Sequence, residues 1–178
     1  MNTSSPVQID SAYVDVLTSY SALHLVKNDG TLWAVNDSGA YGTGGLGNVI
    51  KTSSPVQLGA ETNWSTNQNG VAVGDTAFYV KENGTLYGSG RGNVLASGAN
   101  TDYSSPVQVA TNVTAWAGHT QTANFIINGG LYATGVHYSQ FGTSGIGSAV
   151  NYNLTQVGSA TDWVYLIANE RAAGGGRA

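Results

Sequence analysis

The sequence predicts an all-β fold made of β-propeller blades, and three observations predict it. The segment Ser-Ser-Pro-Val-Gln occurs letter for letter at Ser4–Gln8, Ser53–Gln57 and Ser104–Gln108, and a decayed start follows at Asn153-Leu154-Thr155-Gln156. The spacings of 49, 51 and 49 residues mark stacked supersecondary units. Every unit also carries a β-hairpin signature, two short apolar runs around a glycine turn. Finally, no stretch shows the 3.6-residue period that a helical repeat would need.

The units run 4–52, 53–103 and 104–152, with a partial unit at 153–167 and a Gly-rich tail at 168–178, all within a single repeat domain. The first hairpin reads His24-Leu25-Val26, a turn with Asp29-Gly30, then Leu32-Trp33-Ala34. The second reads Phe78-Tyr79-Val80, a turn with Asn83-Gly84, then Leu86-Tyr87-Gly88. The third reads Phe125-Ile126-Ile127, a shortened Asn128-Gly129-Gly130 turn, then Leu131-Tyr132-Ala133. A further strand is expected before each hairpin, near Val14-Asp15-Val16, Trp64 and Trp116. A glycine loop follows each hairpin, and the next Ser-Ser-Pro-Val-Gln then supplies an extended segment. Its proline fixes the backbone and removes a ladder donor, which suits the start of a strand or a sheet edge.

Composition narrows the function classes. Hydrophobic residues make up 41% and charged residues 9%, with 25 glycines, four Trp and ten Tyr. Such aromatic content argues for a folded chain rather than a disordered one. Six Lys and Arg, dispersed in a chain of net charge −4, offer no cluster able to displace phosphate counterions, so nucleic acid is not expected as a partner. The absence of cysteine excludes disulfides and thiolate metal sites. No apolar run is long enough to span a membrane, and the opening Met1–Asp10 lacks the basic start and apolar stretch of a signal peptide.

The units resemble the repeat of the regulator of chromosome condensation family, in the form met in bacterial and phage proteins. The resemblance rests on Asp29-Gly30-Thr31-Leu32-Trp33-Ala34, on the loops Gly39–Gly44 and Ser139–Ser144, and on the Pro-Val segments. It covers the chain to about Trp163, and the loop Gly92–Ser97 departs furthest from it. It implies blades of a propeller that ordinarily closes with seven. Three units and a partial fourth then form an open arc, or a ring completed by oligomerisation. The uncovered ends are expected to be capped by another copy of the chain or by a larger host protein, unless the chain is a product truncated from a longer propeller.

No catalytic, cofactor or metal site is expected. Gly42-Thr43-Gly44-Gly45-Leu46-Gly47 matches the dinucleotide fingerprint in letters only, because no helix follows to hold a pyrophosphate. His119 and His137 lack partners at metal-ligand spacing, and the carboxylates are scattered without a paired base. Trp33, Tyr87 and Tyr132 share one repeat position, and His24, Phe78 and Phe125 another, both read as packing between blades. The segments 66–75, 91–103 and 137–140 vary most and are rich in Asn, Ser, Gly and Tyr. They make Asn69, Asp75, Arg91, Asn93, Asn100, Tyr103, His137, Tyr138 and Gln140 the candidate binding residues. The function expected is a non-enzymatic structural or binding module of a phage particle, with protein partners, either itself or other virion proteins, and glycan as a second option. A lectin-like or inhibitor-like propeller, secreted or cytoplasmic, and a guanine-nucleotide exchange module are the alternatives.

Overall fold

A computed structural model describes residues 11–37, 40–48, 50–67, 70–119, 121–136, 151–168 and 173–177. Its strands form three four-stranded antiparallel sheets and one two-stranded sheet, the blades of a β-propeller. Sheet 1 contains β1 (Tyr13–Thr18), β2 (Ala22–Lys27), β3 (Leu32–Asn36) and β4 (Val56–Gln57). Sheet 2 contains β5 (Gly70–Val73), β6 (Thr76–Val80), β7 (Leu86–Gly90) and β8 (Tyr103–Ala110). Sheet 3 contains β9 (Val113–His119), β10 (Thr122–Ile127), β11 (Gly130–Gly135) and β12 (Asn151–Gln156). Sheet 4 is β13 (Trp163–Ala168) with β14 (Ala173–Arg177). Each four-stranded sheet is a plain meander, and successive sheets pack face to face in chain order.

Sheets and sequence units are out of phase. Ser-Ser-Pro-Val-Gln opens the unit as counted in sequence, yet its Val56 and Gln57 pair with Ala34 and Trp33 as the last strand of the preceding sheet. The next copy does the same through Gln108 opposite Tyr87, and the decayed copy through Gln156 opposite Tyr132. The sheet-edge placement expected for proline is met, since Pro106 lies within the edge strand β8. Residues 168–178, read as a tail, contribute the strand β14, whose Gly174, Gly175 and Gly176 pair with Ile167, Leu166 and Tyr165.

Register also corrects one equivalence. Phe125 pairs with Tyr132 as Tyr79 pairs with Tyr87 and Leu25 with Trp33. The true position-mates are therefore Leu25, Tyr79 and Phe125 on one face, and His24, Phe78 and Asn124 on the other. The shortened third turn removes one residue, and a one-residue slip reverses which face a side chain occupies. Trp64 and Trp116 are likewise not mates: Trp116 lies inside β9 opposite Phe125, whereas Trp64 makes an isolated bridge to Lys81 ahead of β5.

Two apolar cores fill the spaces between sheets. Between sheets 1 and 2 lie Val26, Leu32, Ala34, Leu58, Trp64, Ala77 and Tyr79. Between sheets 2 and 3 lie Val73, Phe78, Val80, Leu86, Val94, Leu95, Val113, Ala123 and Phe125, with the Phe78 and Phe125 rings edge to face at 5.1 Å. Such T-shaped pairs add to the burial of their area.

A repeated backbone latch joins each blade to the next. The amide of Trp64 donates to the Gly30 carbonyl at 3.1 Å, that of Val113 to Gly84 at 3.0 Å, and that of Trp163 to Gly129 at 3.0 Å. Each acceptor is a hairpin-turn glycine in the left-handed region, with φ of 76°, 77° and 77°. Asp29 shapes the first turn by accepting from the Thr31 amide at 3.0 Å and the Thr31 hydroxyl at 2.6 Å. That hydroxyl bond is the main reason its carboxyl is held below the usual aspartate value. A Cβ on Gly30 would sit 2.2 Å from the Thr62 carbonyl oxygen, whereas one on Gly59, also at positive φ, would meet nothing within 4 Å. Gly30→Ala is therefore expected to cost about 3 kcal/mol in urea unfolding, and Gly59→Ala only the left-handed penalty of about 1 kcal/mol.

Candidate binding surface

One end of sheets 1 and 2 collects most of the described candidate residues. The tight β5–β6 turn carries Asp75, β7 runs out into Arg91, and β8 begins at Tyr103, which pairs with Gly90. The Arg91 amide donates to the Asp75 carbonyl at 2.9 Å. Its guanidinium lies 4.8 Å from the centre of the Tyr41 ring, contributed by the loop after β3. Tyr20, in the β1–β2 turn, donates its amide to the Gly74 carbonyl at 3.1 Å and leaves its side chain 72% exposed. The surface thus presents Tyr20, Tyr41 and Arg91 around the Asp75 turn. Arg and Tyr dominate the energetics of protein interfaces, because both bring large area with polar tips.

Asp75 itself is committed to the framework: its Oδ1 accepts from the Ser21 hydroxyl at 3.2 Å and its carbonyl from the Thr43 hydroxyl at 2.7 Å. Asn93 sits in the single turn α1 (Gly92–Leu95), with a buried Oδ1 that has no hydrogen-bond partner. Asn100 is exposed in the loop before β8, and Tyr103 packs against the second core. Asp102, which the sequence reading passed over in this segment, ties the loop down by accepting from the Gly92 amide at 2.9 Å. Asn69, His137, Tyr138 and Gln140 lie outside the described residues. The missed contributors, Tyr20 and Tyr41, carried a signal in being aromatic residues within turns, where a core role is unavailable.

Beneath this surface lies a buried polar cluster between sheets 1 and 2. His24 Nε2 is 2.9 Å from the Tyr79 hydroxyl and 3.1 Å from the Thr43 carbonyl. Tyr79 is 2.8 Å from Ser89 Oγ, which donates to the same carbonyl at 3.1 Å. A proton on Nε2 satisfies this set: His24 donates to Thr43, Tyr79 to Ser89, and Ser89 to Thr43. Nδ1 then has no partner. Burial pushes the His24 imidazole down to about 4, although its bonds to the Thr43 and Gly44 backbone oppose this. Burial likewise raises the Tyr79 phenol, against the Ser89 bond. Ser, His and Tyr in contact suggest nucleophilic chemistry, but none of the three is exposed and Ser89 Oγ gives its proton to a carbonyl rather than to His24. The cluster joins two blades.

A cleft of about 250 Å³ opens along the same seam, lined by Gly45, Leu58, Glu61, Trp64, Tyr87 and Pro106 among others. Its cation is already internal. Lys81, ion-paired to Glu61 at 2.5 Å, lies 5.3 Å from the Trp64 ring and 4.8 Å from the Tyr87 ring. Among the described residues no group of three or more His, Asp or Glu is placed to hold a metal ion, and no helix is long and apolar enough to cross a membrane.

Blades joined by a left-handed glycine turn, an aromatic strand after it and a Pro-Val closing strand form a β-propeller. Solved structures agree with this fold. Human WBSCR16 matches with a TM-score of 0.66 at 21% identity, over 81% of this chain and 37% of its own. Yeast RCC1 (Prp20), in its complex with Kap60, matches with a TM-score of 0.69 at 14% identity, over 89% of this chain and 40% of its own. Prp20p from Saccharomyces cerevisiae, whose binding to Gsp1p and histones has been characterised, matches at 0.63 and 17% identity with the same coverage. The chain thus spans about two fifths of the length of these propellers. No protein-family model and no curated protein matches it.

Proposed function

We propose that the chain is a non-enzymatic binding module that serves as a structural component of a bacteriophage virion, in a decoration, tail or fibre position, through protein–protein contacts. The observation that carries the binding reading is the Tyr20–Tyr41–Arg91 surface, held by backbone bonds to both sheets and unoccupied by any framework role of its own. Low charge and the absence of cysteine suit an assembled exterior protein. The structure of Prp20p, described with its binding to Gsp1p and histones, supports protein partners as the class. The virion placement rests on the repeat's likeness to phage proteins and on composition.

Antibody labelling of purified particles from a lysate whose phage encodes this chain tests the placement. Label on intact particles is expected, and particles free of the chain would reject it. Arg91→Ala with Tyr41→Ala is expected to weaken capture of the chain onto particles lacking it by at least tenfold, with the unfolding midpoint little changed. The exchange reading has its own test in release of a fluorescent guanine nucleotide from a Gsp1-type GTPase. No acceleration is expected, because the chain spans two fifths of the propellers it matches and its basic residues are few.

A further inference from the structure

The cleft between sheets 1 and 2 is an addition to its seam, because the next seam is built without the same parts. Six residues separate Gln57 from Trp64, whereas four separate Gln108 from Val113. The longer connection carries Gly59 and Glu61, which line the cleft together with Leu58, Trp64, Tyr87 and Pro106. A Cβ on Gly59 would meet no atom within 4 Å, so this wall stands open. Trp64 bridges Lys81, and in the next seam the same two positions are held by Val113 and Ile127. Tyr132 there keeps the place of Tyr87. Two blades therefore pack without the indole, the ammonium or the carboxylate that meet at the first seam.

The groups around the cleft select what it can hold. Lys81 is sealed to 8% exposure against Glu61 and the Trp64 and Tyr87 rings, so a second cation would meet a like charge in the place it needs. An anion would meet Glu61, whose side chain is 51% exposed. An uncharged ligand is left. Lys81 engages Oε1 of Glu61, which leaves Oε2 as an acceptor. The Tyr87 hydroxyl makes no hydrogen bond among the described residues. A carboxylate accepts and does not donate, so the ligand must bring donors of its own. A prolyl segment packs well on Trp and Tyr but brings none from its rings. Hydroxyl groups on a ring with an apolar face meet both demands.

We propose that the cleft binds one neutral hexopyranose ring, the end or a branch of a glycan. Two neighbouring hydroxyls donate to the Glu61 carboxylate, which Lys81 holds in place, and the Tyr87 hydroxyl bonds a third. The C–H face of the ring lies against Tyr87 and Pro106. A volume of about 250 Å³ is that of roughly eight waters, enough for a single ring and below the range of drug-sized pockets. Glu61 is the one carboxylate among the described residues lining the cleft. The paired acid and base that glycoside hydrolysis uses are not assembled there, and the sugar is held without being cut. The cleft shares no residue with the Tyr20–Tyr41–Arg91 surface, so either reading stands without the other.

Titration of the full chain with the methyl pyranosides of glucose, mannose and galactose, followed residue by residue by amide and indole NMR, tests this. At least one is expected to saturate in the millimolar range that a single ring with few polar contacts reaches. The signals of Leu58–Glu61, the Trp64 indole and Tyr87 should move, and those of Val113 and Tyr132 should stay. Glu61→Gln is expected to weaken binding at least tenfold, through loss of the charged acceptor. That change also unpairs Lys81, so Tyr87→Phe provides a second variant. It keeps the ring, removes a hydroxyl that holds no part of the framework, and should weaken binding severalfold with the urea midpoint unchanged. Saturation by none of the three glycosides, movements outside the cleft, or either variant binding as tightly as the natural chain would overturn the proposal. A triproline peptide that moves the cleft signals where the glycosides do not would replace the sugar by a protein segment.

Discussion

Replacing Tyr79 by Ala is expected to destabilise the chain by about 4 kcal/mol, the largest effect of any single truncation at the sheet 1–sheet 2 seam. Tyr79 is fully buried, its ring stands edge-on to His24 at 5.0 Å and to Trp64 at 5.9 Å, and its hydroxyl links His24 with Ser89. Truncation removes the aromatic area, opens a cavity in the packed seam, and strands two polar partners. Tyr79→Phe separates these contributions: it keeps the ring and is expected to cost about 1–2 kcal/mol, for the bonds left unmade. Urea titration followed by tryptophan fluorescence measures both. A loss below about 1 kcal/mol for Tyr79→Ala would mean that sheets 1 and 2 do not pack as described.

Stability is expected to fall as pH drops from about 6.5 to about 4, because of His24. In the unfolded chain the imidazole has its ordinary value of 6.5; in the folded chain burial lowers it to about 4. Between these values the unfolded state binds more protons, so protonation favours unfolding. Stability from this group is full above 6.5, declines through the window, and is exhausted below the folded value. A separation of this size corresponds to about 3 kcal/mol. Burial of the imidazole is the physical cause, and the unpartnered Nδ1 is consistent with it, since a second proton there would point at no acceptor. His24→Phe places the residue that the second blade holds at this position, Phe78, and His24→Asn the residue that the third holds, Asn124. Both variants are expected to flatten the profile between pH 6.5 and 4. Below that, loss of the Asp29 and Asp162 charges, both held at lowered values by hydrogen bonds from Thr31 and Arg177 respectively, continues to erode stability in all three proteins. A wild-type profile that is level from pH 7 to 4 would contradict the buried neutral state.

Much of the architecture was legible because glycine and proline carry backbone instructions that other residues do not. Asp29-Gly30 and Asn83-Gly84 announced their hairpins, and the aromatic residues Trp33, Tyr87 and Tyr132 marked the strand that follows each. Phase was not legible. A five-residue motif repeats with the same period whether it opens a blade or closes one, and only the pairing of Gln57, Gln108 and Gln156 with those aromatics distinguishes the two. The Phe125 equivalence failed for a related reason, since a turn shortened by one residue leaves the letters aligned and reverses the faces. At the candidate surface, sequence variability located Asp75, Arg91 and Tyr103 together but could not separate Asp75, which holds two blades, from Arg91, whose guanidinium lies against the Tyr41 ring. The glycines of β14 looked like a tail because the pattern of a buried strand is written in side chains, and these residues have none. They pair where β2 carries His24, Leu25 and Val26, which makes sheet 4 thin as well as narrow.

The most direct test of a chain of blades latched in series is amide exchange at the latch positions, resolved residue by residue by NMR. Trp64 and Val113 are expected to exchange only through global unfolding, because each donates to a turn glycine of the preceding blade across a packed seam. Tyr13 holds the matching position with no described blade before it and is expected to exchange orders of magnitude faster. Trp64 and Val113 amides that exchange as quickly as Tyr13 would contradict the account.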